Sequence, residues 1–155
     1  MPDDTPFDLL DALPHRPPMR MIDRIVSVVP GREARAMKHV HDDDPWLVDR
    51  DTARAMFPGG LVVEALAQTA CVLAHHSGDP GAPARLPFLT GVDRVRFRRP
   101  VRPGDRLELH VRLAKAWGPF WRVRGQATVN GQHVAEATLT ATLVDAPSSP
   151  SESPR

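Results

Sequence analysis

The sequence predicts an α+β domain in which an antiparallel sheet wraps around one long central helix. Three observations lead there. An apolar run from Gly60 to Ala74, bounded by Pro58-Gly59-Gly60 and Ser77-Gly78, is too long for one strand and apolar on every side, the pattern of a helix enclosed by other structure. Leu107, Leu109, Val111 and Leu113 alternate with Glu108, His110 and Arg112, the period of a half-buried strand. Trp121 to Val129 and Val134 to Leu143 meet across Asn130-Gly131, a strong two-residue hairpin turn. Such a sheet has a face to cover, and one helix running along its concave side covers it.

Taken in order, Phe7 to Leu13 suits one or two helical turns, ended by Pro14. Arg20 to Val29 and Glu33 to Val40 read as strands joined through Pro30-Gly31. The central helix is expected over about residues 60–76, with Glu64 largely buried. Asp79 to Pro87, rich in Pro, Gly and Ala, reads as loop, and the alternating strands follow it. Residues 1–144 form the domain, and the Ser- and Pro-rich stretch 145–155 is expected to be disordered. There is no internal repeat.

At 155 residues the chain is one domain, large enough to bury a sizeable core. The net charge of +1, with both signs interspersed, carries no nucleic-acid footprint. A single cysteine, Cys71, excludes an internal disulfide, suits a reducing compartment and reads as a small core residue. Met1-Pro2-Asp3-Asp4 has neither a basic region nor an apolar signal core, and no stretch reads as a membrane span, so a cytoplasmic location is expected. No Cys/His set has zinc-ligand spacing, no Ser or Cys has a nucleophile setting, and neither a P-loop nor a dinucleotide fingerprint is present.

Within the apolar helix Glu64 stands out. Burying an ionised carboxylate costs several kcal/mol unless it is paired, so a carboxylate here is either a partner-satisfied structural group or a functional one. Gln68 follows one turn later on the same face and can hydrogen-bond it or its water.

Four stretches in register carry a family resemblance: Leu13-Pro-His-Arg-Pro-Pro-Met19 with Met21-Ile-Asp-Arg-Ile25; Phe57-Pro-Gly-Gly-Leu-Val-Val-Glu-Ala-Leu-Ala-Gln68; Phe88 to Asp105; and Gly125 to Gly131 with Val134-Ala-Glu-Ala137. Together they resemble the hotdog-fold 3-hydroxyacyl-acyl-carrier-protein dehydratases of the FabZ group. The resemblance implies a single hotdog fold, a substrate delivered on the phosphopantetheine arm of an acidic acyl carrier protein, and no separate cofactor. It also implies dimers joined edge to edge, each site taking a His from one subunit and an acidic residue from the other. Counting back from Glu64 without a gap, the family's His falls on Arg50, within Val48-Asp-Arg-Asp-Thr52. A guanidinium stays protonated and cannot accept a proton, so the chain holds half of such a site.

In that chemistry a base removes the proton next to the thioester carbonyl, and Glu64 is the acid or holds the water that protonates the departing hydroxyl. Gly59 and Gly60 let a thioester approach the helix N-terminus, or simply ease a tight entry into the helix. The remaining histidines offer no convincing replacement base. His39 and His41 share a strand face, His15 belongs to the family's opening loop as a stabilising residue, and His75 and His76 sit in the last helical turn, favourable against the dipole. Arg94, Arg96, Arg98, Arg99 and Arg102 form a basic strip suited to docking an acidic carrier, or to protecting a strand edge by charge.

Three functions follow. The first is a dehydratase subunit that supplies Glu64 to a site completed by a His-bearing paralogue, as a heterodimer. FabZ-like proteins of the ApeP type, from aryl polyene assembly, look similar in sharing the opening and the Glu while lacking the His. The second is a hotdog thioesterase that uses Glu64 to activate water or to attack the thioester. The third is a non-catalytic acyl-carrier-binding or scaffold subunit. The chain is expected to pair with a His-bearing paralogue as a heterodimer, or with itself as a homodimer.

Overall fold

Six strands and one long helix make up the computed structural model, which describes residues 10–83 and 85–146. The order is β1 (Arg24–Val29), β2 (Glu33–His39), α1 (Gly59–His75), β3 (Arg85–Phe97), β4 (Arg106–Trp117), β5 (Phe120–Val129) and β6 (Gln132–Asp145). All neighbouring strands are antiparallel, in the spatial order β1-β2-β4-β5-β6-β3. The chain therefore leaves β2 on one side of the sheet, crosses its inner face as α1, and re-enters at the opposite edge as β3. This is a single hotdog fold.

The alternation read from the sequence sets the inner face. Leu107, Leu109 and Val111 on β4, Trp121, Val123 and Ala127 on β5, and Val134, Ala137 and Leu139 on β6 are buried against Val62, Ala65, Leu66, Val72 and Leu73 of the helix. Gly125 lies opposite Leu66, and a Cβ there would fall 3.2–3.3 Å from three of its side-chain carbons. The missing side chain sets how closely helix and sheet pack. Asn130 and Gly131 both have positive φ, 50° and 76°, which is the conformation a tight hairpin needs.

Several boundaries depart from expectation. Strand β1 begins at Arg24, not Arg20, because Met21 gives its N–H to the Gln68 side chain at 2.8 Å, off the ladder. Strand β3 starts at Arg85, inside the expected loop. Pro87 is tolerated because β3 is an edge strand, where one side of the backbone has no ladder bond to lose. The helix is not enclosed on every side: Leu61, Val63, Glu64 and Ala67 form a half-buried stripe. Glu64 itself is 32 % exposed, so the expectation of a largely buried carboxylate is corrected. The first residues of the predicted N-terminal helix, Phe7 to Leu9, lie outside the described residues, as does the tail from 147 onward, while Leu10 and Asp11 are helical.

The long segment between β2 and α1 is tied down at several points. Lys38 Nζ meets Asp44 Oδ2 at 3.3 Å, both side chains buried, and lies 5.1 Å from the Phe57 ring centroid. Isolated bridges pair Val48 with Met56 and Phe57 with Val101. Burying this ion pair is tolerable because Asp44 also accepts the Trp46 N–H at 3.1 Å.

Candidate active site

Glu64 and Gln68 are one helical turn apart, which brings their side chains together. Gln68 Nε2 donates to Glu64 Oε1 at 3.0 Å and to Met19 O at 2.8 Å, while Gln68 Oε1 accepts from Met21 N. This buried amide fastens the segment before β1 onto the helix and orients the carboxylate. Arg16 tightens the same segment by donating to Leu13 O and His15 O, the latter at 2.9 Å.

The clamped segment carries His15 to the carboxylate, with Nε2 3.5 Å from Glu64 Oε1. Both side chains line a cavity of about 350 Å³. Its remaining wall is largely apolar, with Ala67, Cys71 and Ala74 from the helix, Phe88 and Leu89 from β3, and Trp121, Val123 and Leu139 from the sheet. The arrangement suits an acyl chain in the cavity with a carboxylate and an imidazole beside its reactive end. His15 therefore does more than stabilise its loop: the Gln68 tie to Met19 and Met21 places it beside Glu64. Cys71 on the same wall is not a nucleophile: burial, and then the Glu64 charge, push its thiol up to about 11.

Not every expected residue joins this cavity. Gly59 and Gly60 border a second one, of about 430 Å³, with Phe97, Arg98 and Arg99. Gly59 has a packing reason, since a Cβ there would lie 2.7–3.1 Å from the Phe97 ring, whereas the space around Gly60 is open. Arg50 lines neither cavity. It is exposed, and its Nη2 donates to Asp44 O at 3.0 Å.

In the basic strip, Arg96 and Arg98 share Glu136 Oε1 at 3.8 and 3.0 Å, and Arg99 bonds Gln132 Oε1. Arg94 occupies a bulge at positive φ, 52°, and Arg102 reaches Ala53 O at 3.5 Å. Glu136 therefore offsets part of the positive charge of the strip. The His39 and His41 rings lie 4.2 Å apart and tilted by 47° on the surface, away from both cavities. At the end of the helix, burial and then the neighbouring His75 hold the His76 imidazole below the ordinary value.

No helix among the described residues is long and apolar enough to cross a membrane, and none of their His, Cys, Asp and Glu side chains group in threes that could hold a metal.

A family model described as FabA-like domain matches residues 13–138. The chain belongs to the FabA-like family. This FabA-like chain is 40 % identical over 146 residues to a protein of Myxococcus xanthus named 3-hydroxyacyl-[acyl-carrier-protein] dehydratase FabZ, covering 94 % of this chain and 95 % of that one. It is 45 % identical over 135 residues to the protein of the same name from an Anaeromyxobacter species, covering 86 % and 85 %. Among solved structures, the dehydratase heterocomplex ApeI:P from Xenorhabdus doucetiae superposes with a TM-score of 0.76 at 21 % identity, over 88 % of this chain and 91 % of that one. At that identity the likeness speaks for the fold.

Proposed function

We propose that this chain is a subunit of a 3-hydroxyacyl-acyl-carrier-protein dehydratase that contributes Glu64 to a site whose base comes from a His-bearing partner. The observation that carries this reading is the contrast between two positions. Glu64 is held on the wall of an apolar cavity by Gln68 and touched by His15. Arg50, at the position of the family's His, is turned to a backbone carbonyl outside that cavity. Two close relatives bearing the dehydratase name support the reaction class.

In the reaction, a base takes the proton beside the thioester carbonyl, the C–O bond to the 3-hydroxyl breaks, and Glu64 or a water it holds protonates the leaving oxygen. A partner is favoured by strand β3, which exposes Phe88, Leu89, Val92, Val95 and Phe97 along an edge open to pairing. The second cavity, with Gly59, Gly60 and the arginines Arg98 and Arg99 at its rim, suits the phosphopantetheine arm and its acidic carrier protein.

The test is to incubate the purified chain with a 3-hydroxyacyl carrier thioester, alone and with a relative retaining the His. Enoyl product in the mixture, lost with Glu64→Gln, supports the reading. Free thiol from the chain alone, with no enoyl product in any mixture, would replace dehydration by thioester hydrolysis.

A further inference from the structure

We propose that His15 is a positioning residue for Glu64: a neutral imidazole whose Nε2–H donates to the carboxylate and, with Gln68, fixes it for the reaction. The proposal rests on the dehydratase reading and assigns a role within that site. Four observations carry it. Nε2 faces Glu64 Oε1 at 3.5 Å, at the outer limit of hydrogen-bonding distance. The other ring nitrogen, Nδ1, is enclosed and has no hydrogen-bond partner among the described residues. The imidazole and the carboxylate line the same cavity. The segment holding His15 is fastened on both sides, by Arg16 to Leu13 O and by Gln68 to Met19 O and Met21 N.

The tautomer follows from these contacts. A proton on Nδ1 would be a buried donor without an acceptor, whereas a proton on Nε2 points at a carboxylate oxygen that needs a donor. Neutral His15 therefore carries its proton on Nε2. Two N–H groups, from Gln68 and His15, then converge on Oε1. Oε2 has no partner among the described residues and remains for the substrate or its water. The carboxylate cannot swing without breaking both contacts, which is how a neighbouring group gains rate through orientation.

Two measurements test this. Two-bond proton–nitrogen correlation spectra of the full chain report which ring nitrogen of His15 carries the proton, and they need neither a substrate nor a variant. The proposal requires the Nε2–H tautomer; a ring protonated on Nδ1, or on both nitrogens at neutral pH, overturns it. In the dehydration assay with a His-bearing relative, His15→Leu should lower kcat about 10- to 100-fold with KM little changed, the scale of a lost hydrogen bond to a charged group. His15→Gln, which keeps a neutral donor, should recover most of that loss. Equal losses in His15→Leu and His15→Gln, or no loss in either while Glu64→Gln is inactive, reject the role of His15 and leave the dehydratase reading standing. Full activity in Glu64→Gln instead rejects the reading itself, whatever the tautomer.

Discussion

Gly125 and Leu66 meet where the sheet and the helix are closest, and the contact makes a stability prediction. A methyl at residue 125 would press on Leu66 carbons at 3.2–3.3 Å, and Leu66 is fully enclosed, so it has little room to yield. Gly125→Ala should destabilise the chain by about 1–3 kcal/mol, read as a lower midpoint in urea with an unchanged slope. His76 makes a second one. Its folded-state value lies below the ordinary one, so the unfolded chain binds the proton more readily. The stability linked to His76 is thus present above the ordinary histidine value and is lost as pH falls through it. His76→Gln should flatten the fall in thermal midpoint on the acid side of neutrality, and an unchanged slope there would contradict the assignment. At this scale the sequence was informative where partners are close along the chain. Glu64 and Gln68 are one turn apart, so their contact follows from helical spacing. His15 reaches Glu64 only because Gln68 ties a distant segment to the helix, and no local pattern encodes such a tie.

The edge strand β3 gathers the features that tertiary context decides. Its apolar side chains and its arginines alternate along a surface that has no neighbour on one side within the chain. Reversing the charge of Arg96, Arg98 and Arg99 together should weaken binding to an acidic carrier protein, most clearly at low salt. The expected loss is moderated because Arg96 and Arg98 already share Glu136. Carrier affinity unchanged at both low and moderate salt would leave these residues as a charged strand edge. Strand β4 was legible from its alternation, β5 and β6 from the turn that joins them, and helix α1 from the length and bounds of its apolar run. The start of β3 was not: Pro87 reads as a loop residue until its strand is known to lie at an edge. The openness of the stripe Leu61, Val63, Glu64 and Ala67 was hidden for a related reason. Apolar residues on all sides of a helix mark burial without saying whether this chain or another supplies it.

For the whole molecule, the exposed β3 edge and the half-buried helix stripe argue for association. Light scattering should find a dimer at micromolar concentrations, as a homodimer when the chain is expressed alone, and a stable monomer across that range would count against a two-subunit site. The architecture, one helix wrapped by an antiparallel sheet, was readable because the helix and the hairpins agree on it. The proposed sharing of a site between two chains was not, since it depends on where Arg50 and Glu64 would sit relative to a second chain. Arg50→His should restore part of the dehydration activity to the homodimer, provided the loop held by Lys38 and Asp44 keeps its place. The most direct test of the central claim is the rate of enoyl-thioester formation from a 3-hydroxyacyl carrier thioester by this chain mixed with a His-bearing relative. Two mixtures would be compared, one with Glu64 intact and one with Glu64→Gln. The account predicts little product from the chain alone, ready turnover in the intact mixture, and a loss of about 10²–10⁴-fold with the Gln variant. Turnover in the mixture that is indifferent to Glu64 would contradict it.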